Sequence, residues 1–259
     1  MKKLYHSIVA AFSTFSALPS PRIDWEGAQL GGTLAALPLV GVVIGAFGLL
    51  YGLLAKWCQL PVTLSAAVLT VLPIAVSGGI HVDGFADTAD ALASWGGSEK
   101  KREILKDPHA GAFAVIGVGC YLLLYFGFCS ALSLKWDSLL LLGLTHVLGR
   151  TLGALAGTVL PAASAKGMLS MLRSGSGAGT VRALAVWIVL CLAATVALSP
   201  LAALLFALAL AAVFFFVRRI ARRQFGGMSG DLAGFAISVT ELALLLALVF
   251  SERLVILWS

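Results

Sequence analysis

The stretch LPVTLSAAVLTVLPIAVSGGIHVDGFADTADAL, residues 60–92, joins an apolar run directly to a cluster of carboxylates. Residues 61–80 carry no charged side chain, and about 20 such residues span a bilayer. The chain has only 12 acidic residues, yet Asp83, Asp87 and Asp90 follow one another directly after the run. The stretch therefore predicts a membrane helix with an acidic site at its end.

The composition extends this prediction to the whole chain. Of 259 residues, 60% are hydrophobic and 12% are charged, whereas a soluble domain carries roughly 25% charged residues. We therefore expect an all-α, polytopic helical bundle of about seven transmembrane helices, forming a single integral membrane domain over residues 1–259. The predicted spans are residues 30–55, 61–80, 111–134, 138–160, 181–198, 200–217 and 231–250.

The N-terminal sequence MKKLYHSIVAAFSTFSALPSP (1–21) has the basic flank of a signal peptide. Ser13, Thr14 and Ser16 interrupt its apolar part, and no small-x-small cleavage site follows. We expect a retained amphipathic segment at the membrane interface. The alternatives are a cleaved signal and a full span.

The basic residues predict the orientation, because Lys and Arg accumulate in cytoplasmic loops. With the N-terminus inside, fifteen of the 18 basic residues lie at the cytoplasmic face, and only Lys56, Lys135 and Arg253 lie outside. The cytoplasmic segments are then 81–110, 161–182 and 218–231. The membrane topology is the preferred explanation of the net positive charge, and a phosphorylated substrate is the second explanation. The sequence shows no surface that combines aromatic and basic residues, so we expect no nucleic-acid binding.

The three cytoplasmic segments differ in character. GGSEKKREILKDP predicts a short amphipathic helix that Ser98 caps and Asp107-Pro108 ends. Residues 161–182 are rich in Gly and Ser and predict a flexible loop. Residues 218–231 hold four arginines followed by a glycine-rich turn. The arginines serve either as positive-inside anchors or to attract a substrate phosphate.

The acidic cluster has helical spacing. Positions i, i+4 and i+7 place Asp83, Asp87 and Asp90 on one face of a helix, where like charges repel. A divalent cation explains the arrangement, since Mg²⁺ binds carboxylate oxygens and bridges them to substrate phosphates. Gly78, Gly79 and Gly84 fit this explanation because glycine lets the backbone bend or approach a ligand closely. The alternative is a solvated helix end.

His81 and Asp231 lie beside this chemistry. His81 is either a structural hydrogen-bonding residue or a proton acceptor, and we expect a non-helical turn to bring it towards Asp83. Asp231 follows GGMSG at the start of the last span. It is either a helix N-cap or a metal or substrate ligand.

Glu241 lies within the last predicted span, where a carboxyl group has to be paired or protonated. Arg150 is either its partner or a phosphate ligand. The four cysteines have no metal-site or disulfide spacing and predict apolar packing residues.

Five motifs along the chain carry a family resemblance. They are GGIHVDGFADTADAL (78–92), KDPHAGAF (106–113), GR (149–150), GGMSGDLAG (226–234) and Glu241. With PLVGVVIG (38–45), they resemble the cobalamin synthase family of adenosylcobinamide-GDP ribazoletransferases. The resemblance implies a bacterial inner-membrane enzyme that uses Mg²⁺, with Mn²⁺ as a substitute. In this reaction a ribose hydroxyl of α-ribazole, or of its phosphate, attacks the phosphorus attached to cobinamide in adenosylcobinamide-GDP, and GMP leaves.

The chemistry of these residues and the family resemblance together indicate which residues form the site. The expected catalytic residues are His81, Asp83, Asp87, Asp90 and Asp231, and the four aspartates are also the expected metal ligands. The expected substrate contacts are Gly84, Lys106, Asp107, Arg150, Gly227 and Gly230. Membrane lipid is an expected partner, and a homo-oligomer is left open.

Two other classes compete with this interpretation. A CDP-alcohol phosphotransferase that makes phospholipids also clusters aspartates at a membrane face, but it needs Ala-Arg where this chain has Asp87-Thr88. An ion-coupled transporter needs acidic groups near the bilayer midplane. Apart from Glu241, the acidic groups here lie at the predicted membrane edge.

Overall fold

The computed structural model describes residues 2–21 and 30–258. Within these ranges the chain is helical and has no β-strand beyond one isolated bridge, so the predicted all-α bundle is confirmed. Its helices are α1 (Lys2–Phe15), α2 (Thr33–Trp57), α3 (Val62–Ser77), α4 (Ile80–Ala93), α5 (Ser98–Ile104), α6 (Ala112–Ala131), α7 (Trp136–Val159), α8 (Met168–Ser174), α9 (Ala178–Leu198), α10 (Pro200–Ile220) and α11 (Gly230–Trp258).

Six helices in the described residues are long and apolar enough to cross a membrane: α2, α6, α7, α9, α10 and α11. The pair α3 and α4 brings the number to seven if it counts as one bent span. This agrees with the predicted number of about seven.

The predicted span at 61–80 is not one straight helix. The axis turns by 96° between α3 and α4. Gly78 and Gly79 form the bend with φ angles of +66° and +78°, a left-handed conformation that glycine adopts without a steric penalty. The bend directs α4, which carries the acidic motif, away from the direction of α3.

Helix α1 has the predicted amphipathic character. Val9, Ala10 and Ala11 are buried in the bundle, whereas Lys2, Lys3 and His6 are exposed. Its 14 residues are about 21 Å long, which is shorter than a bilayer core. Arg22, one of the basic residues assigned to the inner side, lies outside the described residues.

Small residues let helices α2 and α7 approach closely. A β-carbon on Gly45 would lie 2.8 Å from the Cα of Gly143, so the two backbones are in contact. Glycine pairs of this kind drive helix association in membranes through packing. Helix α7 is thereby fixed inside the bundle, and most of its side chains are buried.

Two predictions for the segments between the spans need correction. Helix α5 is present, but Gly97 is its N-cap and Ser98 is already helical. The segment 161–182 is not a flexible loop throughout, because it contains α8. Leu169 and Leu172 of α8 are both buried, and this burial of an apolar face outweighs the local Gly and Ser content.

Candidate active site

The two acidic motifs, far apart in sequence, meet where α4 crosses α11. A β-carbon on Gly84 would lie 2.7 Å from the backbone oxygen of Asp231. One on Gly234 would lie 3.0 Å from the backbone oxygen of His81. Only glycine allows the helices to come this close, so Gly84 places Asp231 beside the acidic face of α4.

The histidine motif is helical. Helix α4 runs without interruption from Ile80, so the expected non-helical turn at His81 is wrong, and the bend lies earlier, at Gly78 and Gly79. His81 is only 4% exposed, and its ring stacks on Phe15 with centroids 6.1 Å apart. Neither ring nitrogen has a hydrogen-bond partner in the described structure. Even so, His81 lines the same cavity as Asp83 and Asp231.

The aspartates divide into two groups. Asp83 is exposed, Asp87 and Asp231 are half-buried, and none of the three joins any ion pair between described residues. Asp90 instead accepts a hydrogen bond of 3.3 Å from the backbone N–H of Ala114 in the first turn of α6. Asp90 thus stabilises the start of α6.

The donor chemistry suits Mg²⁺. Carboxylate oxygens are the ligands it prefers, and Asp83, Asp87 and Asp231 have no ion-pair partner within residues 2–21 and 30–258. In the described residues no three His, Cys, Asp or Glu side chains already form a metal-binding group. Mg²⁺ commonly uses one or two carboxylates and completes its shell with water and substrate phosphate. The residues present therefore fit this ion, and its binding stays a prediction.

Asp231 is not the N-cap of α11. The backbone N–H of Leu232 donates to Oγ of Ser229 at 3.1 Å, so Ser229 supplies the cap. The Asp231 carboxylate is in the first turn, where the helix dipole favours negative charge.

The segments 161–182 and 218–231 are paired through their backbones. Met228 N–H donates to the oxygen of Pro161 at 2.7 Å, and Ala163 N–H donates to the oxygen of Met228 at 2.9 Å. Gly227 packs directly on Ala162 and Ala163 with a φ of +157°. The structure thus gives Gly227 a packing role, whereas a β-carbon on Gly230 would meet open space.

Asp231 lies between two recesses of opposite polarity. On one side is an apolar cavity of about 170 Å³. Its lining includes Phe15, Leu37, Ala154, Leu169, Leu172 and Ile237, together with His81, Asp83 and Asp231. On the other side is a polar groove, whose lining includes Arg102, Glu103, Lys106, Ser229 and Asp231.

The predicted substrate contacts at 106 and 107 differ in position. Lys106 lines the polar groove, but Asp107 does not. The Asp107 carboxylate accepts a hydrogen bond of 3.0 Å from the backbone N–H of His109 and lies 2.8 Å from its ring Nδ1. These interactions lower the pKa of Asp107. Asp107 thus has a local partner at the exposed surface.

Arg150 is the partner of Glu241. The guanidinium of Arg150 in α7 forms an ion pair with Glu241 in α11, and His146 Nδ1 lies 3.1 Å from the same carboxylate oxygen. All three residues are buried. Of the two alternatives the structure shows the ion pair. The expected substrate contact from Arg150 stays a prediction, and it would require this side chain, which is 1% exposed and paired with Glu241, to rearrange.

Some residues that line the apolar cavity or the polar groove belong to none of the sequence motifs. Phe15, Leu169 and Leu172 reach the cavity from α1 and α8, and Arg102 reaches the groove from α5. The available signal was the amphipathic pattern of these short helices. The four arginines of 218–223 are exposed and line neither recess.

Fold and site together define a polytopic membrane protein with carboxylates placed between a polar groove and an apolar cavity. A family model for cobalamin-5-phosphate synthase (CobS) matches residues 7–249. The chain belongs to this family.

Named relatives agree with the family. An adenosylcobinamide-GDP ribazoletransferase of Lachnoclostridium phytofermentans is 35% identical, over 98% of this chain and 97% of the relative. One from Pseudomonas savastanoi pv. phaseolicola is 37% identical over 85% and 88%, and one from Clostridium perfringens is 28% identical over 93% and 96%. No solved structure matches. These similarities support the cobalamin synthase interpretation over the phospholipid synthase and transporter alternatives.

Proposed function

We propose that this protein transfers the adenosylcobinamide-phosphate group from adenosylcobinamide-GDP to α-ribazole or α-ribazole phosphate. The products are GMP and adenosylcobalamin or its phosphate. The observation that carries the proposal is the position of Asp231, which lies beside Asp83 and borders both the polar groove and the apolar cavity. A reaction that joins two dissimilar substrates needs a site that both of them can reach from their own binding recesses.

The groove suits the nucleotide end of the donor substrate. Arg102 and Lys106 line it beside Asp231, together with Glu99 and Glu103. Arg binds phosphate oxygens through its planar fork, so these two basic residues are the candidate phosphate contacts in a groove of mixed charge. The diphosphate in the groove would place its cobinamide-linked phosphorus next to the carboxylates. GMP would leave along the groove.

The reaction is an exchange of one P–O bond for another. A ribose hydroxyl oxygen of α-ribazole forms the new bond to the cobinamide-linked phosphorus. The P–O bond to GMP breaks, and its electron pair stays on the GMP phosphate. We assign the hydroxyl proton to His81, whose ring nitrogens have no partner in the described structure and which borders the cavity with Asp83.

Mg²⁺ bound by Asp83, Asp87 and Asp231 would neutralise the charge on the diphosphate and on departing GMP. The test is a turnover assay with the purified protein, both substrates and Mg²⁺, with GMP and the cobalamin product detected by mass spectrometry. We expect EDTA to abolish turnover and Mg²⁺ or Mn²⁺ to restore it. Full turnover in chelator would exclude the metal, and no product under any metal condition would exclude the activity.

We further propose that the protein lies in a bacterial inner membrane with its N-terminus and site in the cytoplasm, because the basic residues are so unevenly distributed. Cys58 is exposed at the end of α2 and provides a natural external probe. With the other cysteines replaced, Cys58 should react with an impermeant thiol reagent in intact cells. A Lys100→Cys variant that lacks Cys58 should react only after permeabilisation, and labelling of position 100 from outside would reverse the orientation.

A further inference from the structure

The apolar cavity is built from several parts of the chain. Phe15 comes from α1, Leu37 from α2, Ala154 from α7, and Leu169 from α8, while α11 supplies Ile237. Among the lining residues that the structure describes, only His81, Asp83 and Asp231 have polar side chains. A ligand in this cavity would therefore meet apolar walls over most of its surface and polar groups in one region.

The size of the cavity limits its occupant. Its volume is about 170 Å³, and a cavity of roughly 150 Å³ lined by Leu, Ile and Phe binds benzene. A corrin ring system is far too large for this space. A guanine base would leave several donors and acceptors unsatisfied against the apolar walls, which is costly. A small, flat and apolar aromatic group meets both limits.

His81 supplies an independent sign of a ligand. It is 4% exposed, it lines the cavity, and both of its ring nitrogens lack a hydrogen-bond partner in the described structure. Buried polar groups are nearly always satisfied, because an unsatisfied one loses its hydration without compensation. A hydroxyl group entering beside His81 would satisfy one of these nitrogens.

We propose that this cavity binds the aromatic base of the acceptor nucleoside, with the ribose directed towards His81, Asp83 and Asp231. The inference rests on the proposed function, in which α-ribazole is the acceptor, and it states which recess holds which substrate. The base of α-ribazole is a methylated benzimidazole, flat and largely apolar. Burial of its methyl groups against Leu37, Leu169 and Ile237 would favour it over bases that carry more polar groups.

The test fills the cavity. Ala154 lines it and is 2% exposed, so Ala154→Leu should occupy space that the base needs. We expect the KM for α-ribazole to rise at least 10-fold, while the KM for adenosylcobinamide-GDP stays within 2-fold. For the same nucleoside with an unmethylated benzimidazole, the KM should rise less in this variant, so the preference of the enzyme for the methylated base should fall. A rise in the KM for adenosylcobinamide-GDP alone would overturn the proposal.

Matched variants control for a general packing defect. Ala194→Leu adds the same side chain to an exposed position of α9, lining a different groove, and should change neither KM. Leu169→Ala enlarges the cavity from α8 and should raise the KM for α-ribazole even if Ala154→Leu does not fold.

A direct binding measurement separates this inference from the proposed function. Equilibrium dialysis of α-ribazole against the wild-type protein and against the Leu169→Ala and Ala154→Leu variants needs no turnover. Weaker binding to a folded variant supports the assignment of the cavity even if the transfer assay fails. Turnover by the wild type, with unchanged α-ribazole binding and KM in both variants, would overturn the assignment and leave the proposed function intact.

Discussion

Gly84 of α4 lies against the backbone of Asp231 in α11, so closely that a β-carbon at position 84 would be 2.7 Å from the Asp231 carbonyl oxygen. This contact joins two motifs that are separated by more than 140 residues. The position of the Asp231 carboxylate relative to Asp83 thus depends on glycine, which has no side chain, at position 84.

We predict that Gly84→Ala lowers turnover at least 10-fold, which corresponds to about 1.4 kcal/mol of lost transition-state stabilisation. The added methyl group has to push α11 away from α4, since backbone lies opposite it. Gly119→Ala is the control, because Gly119 is also in a helix and a β-carbon there meets nothing within 4 Å. Equal turnover in both variants would show that the close approach is not needed.

The carboxylate charge at position 231 can be tested without changing its shape. Asp231→Asn should reduce turnover at least 100-fold, about 2.7 kcal/mol, as should Asp83→Asn. Ser229 supplies the helix cap, so loss of the cap cannot explain a large effect at 231. Steady-state kinetics with normally expressed protein measures both variants. A fully active Asp231→Asn enzyme would remove α11 from the catalytic site.

Asp90 should behave differently from Asp83. Its carboxylate accepts a bond from the Ala114 N–H, and an asparagine side-chain oxygen accepts the same bond. We expect Asp90→Asn to lower turnover much less than Asp83→Asn, and Asp90→Ala to destabilise the protein by about 1 kcal/mol through loss of that bond. Kinetics and thermal unfolding in detergent distinguish the two effects. A loss of activity in Asp90→Asn as large as that in Asp83→Asn would support the metal role that the sequence predicts for Asp90.

The approximate number and positions of the membrane-spanning helices could be predicted from the sequence, because bilayer spans have a required length and apolarity. The acidic helix could also be located, since its carboxylates repeat with helical spacing. The bend at Gly78 and Gly79 was placed a few residues too late, at His81. Paired glycines indicate a bend, but the angle between the flanking helices depends on what α4 packs against.

The walls of the apolar cavity could not be predicted in this way. Leu169 and Leu172 lie in a Gly/Ser-rich segment, and their burial depends on tertiary contacts that local composition does not report. The pairing of Arg150 with Glu241 was one of two open alternatives, because a buried carboxyl needs a partner but the sequence does not identify it. Only the packing of α7 against α11 decides between a partner and a substrate ligand.

The Arg150–Glu241 pair gives the final prediction. Glu241→Gln would leave the Arg150 charge buried without its counter-ion, and removing one partner of a buried pair typically costs about 3–5 kcal/mol. Arg150→Met should be destabilising for the corresponding reason. Replacing both, as Arg150→Met with Glu241→Leu, should cost less than either single change, since no uncompensated charge remains. Unfolding of the purified variants in detergent measures this coupling. If Arg150→Met were as stable as the wild type but bound adenosylcobinamide-GDP poorly, while Glu241→Gln bound it normally, Arg150 would be a substrate ligand, and its pairing with Glu241 would hold only before the substrate binds.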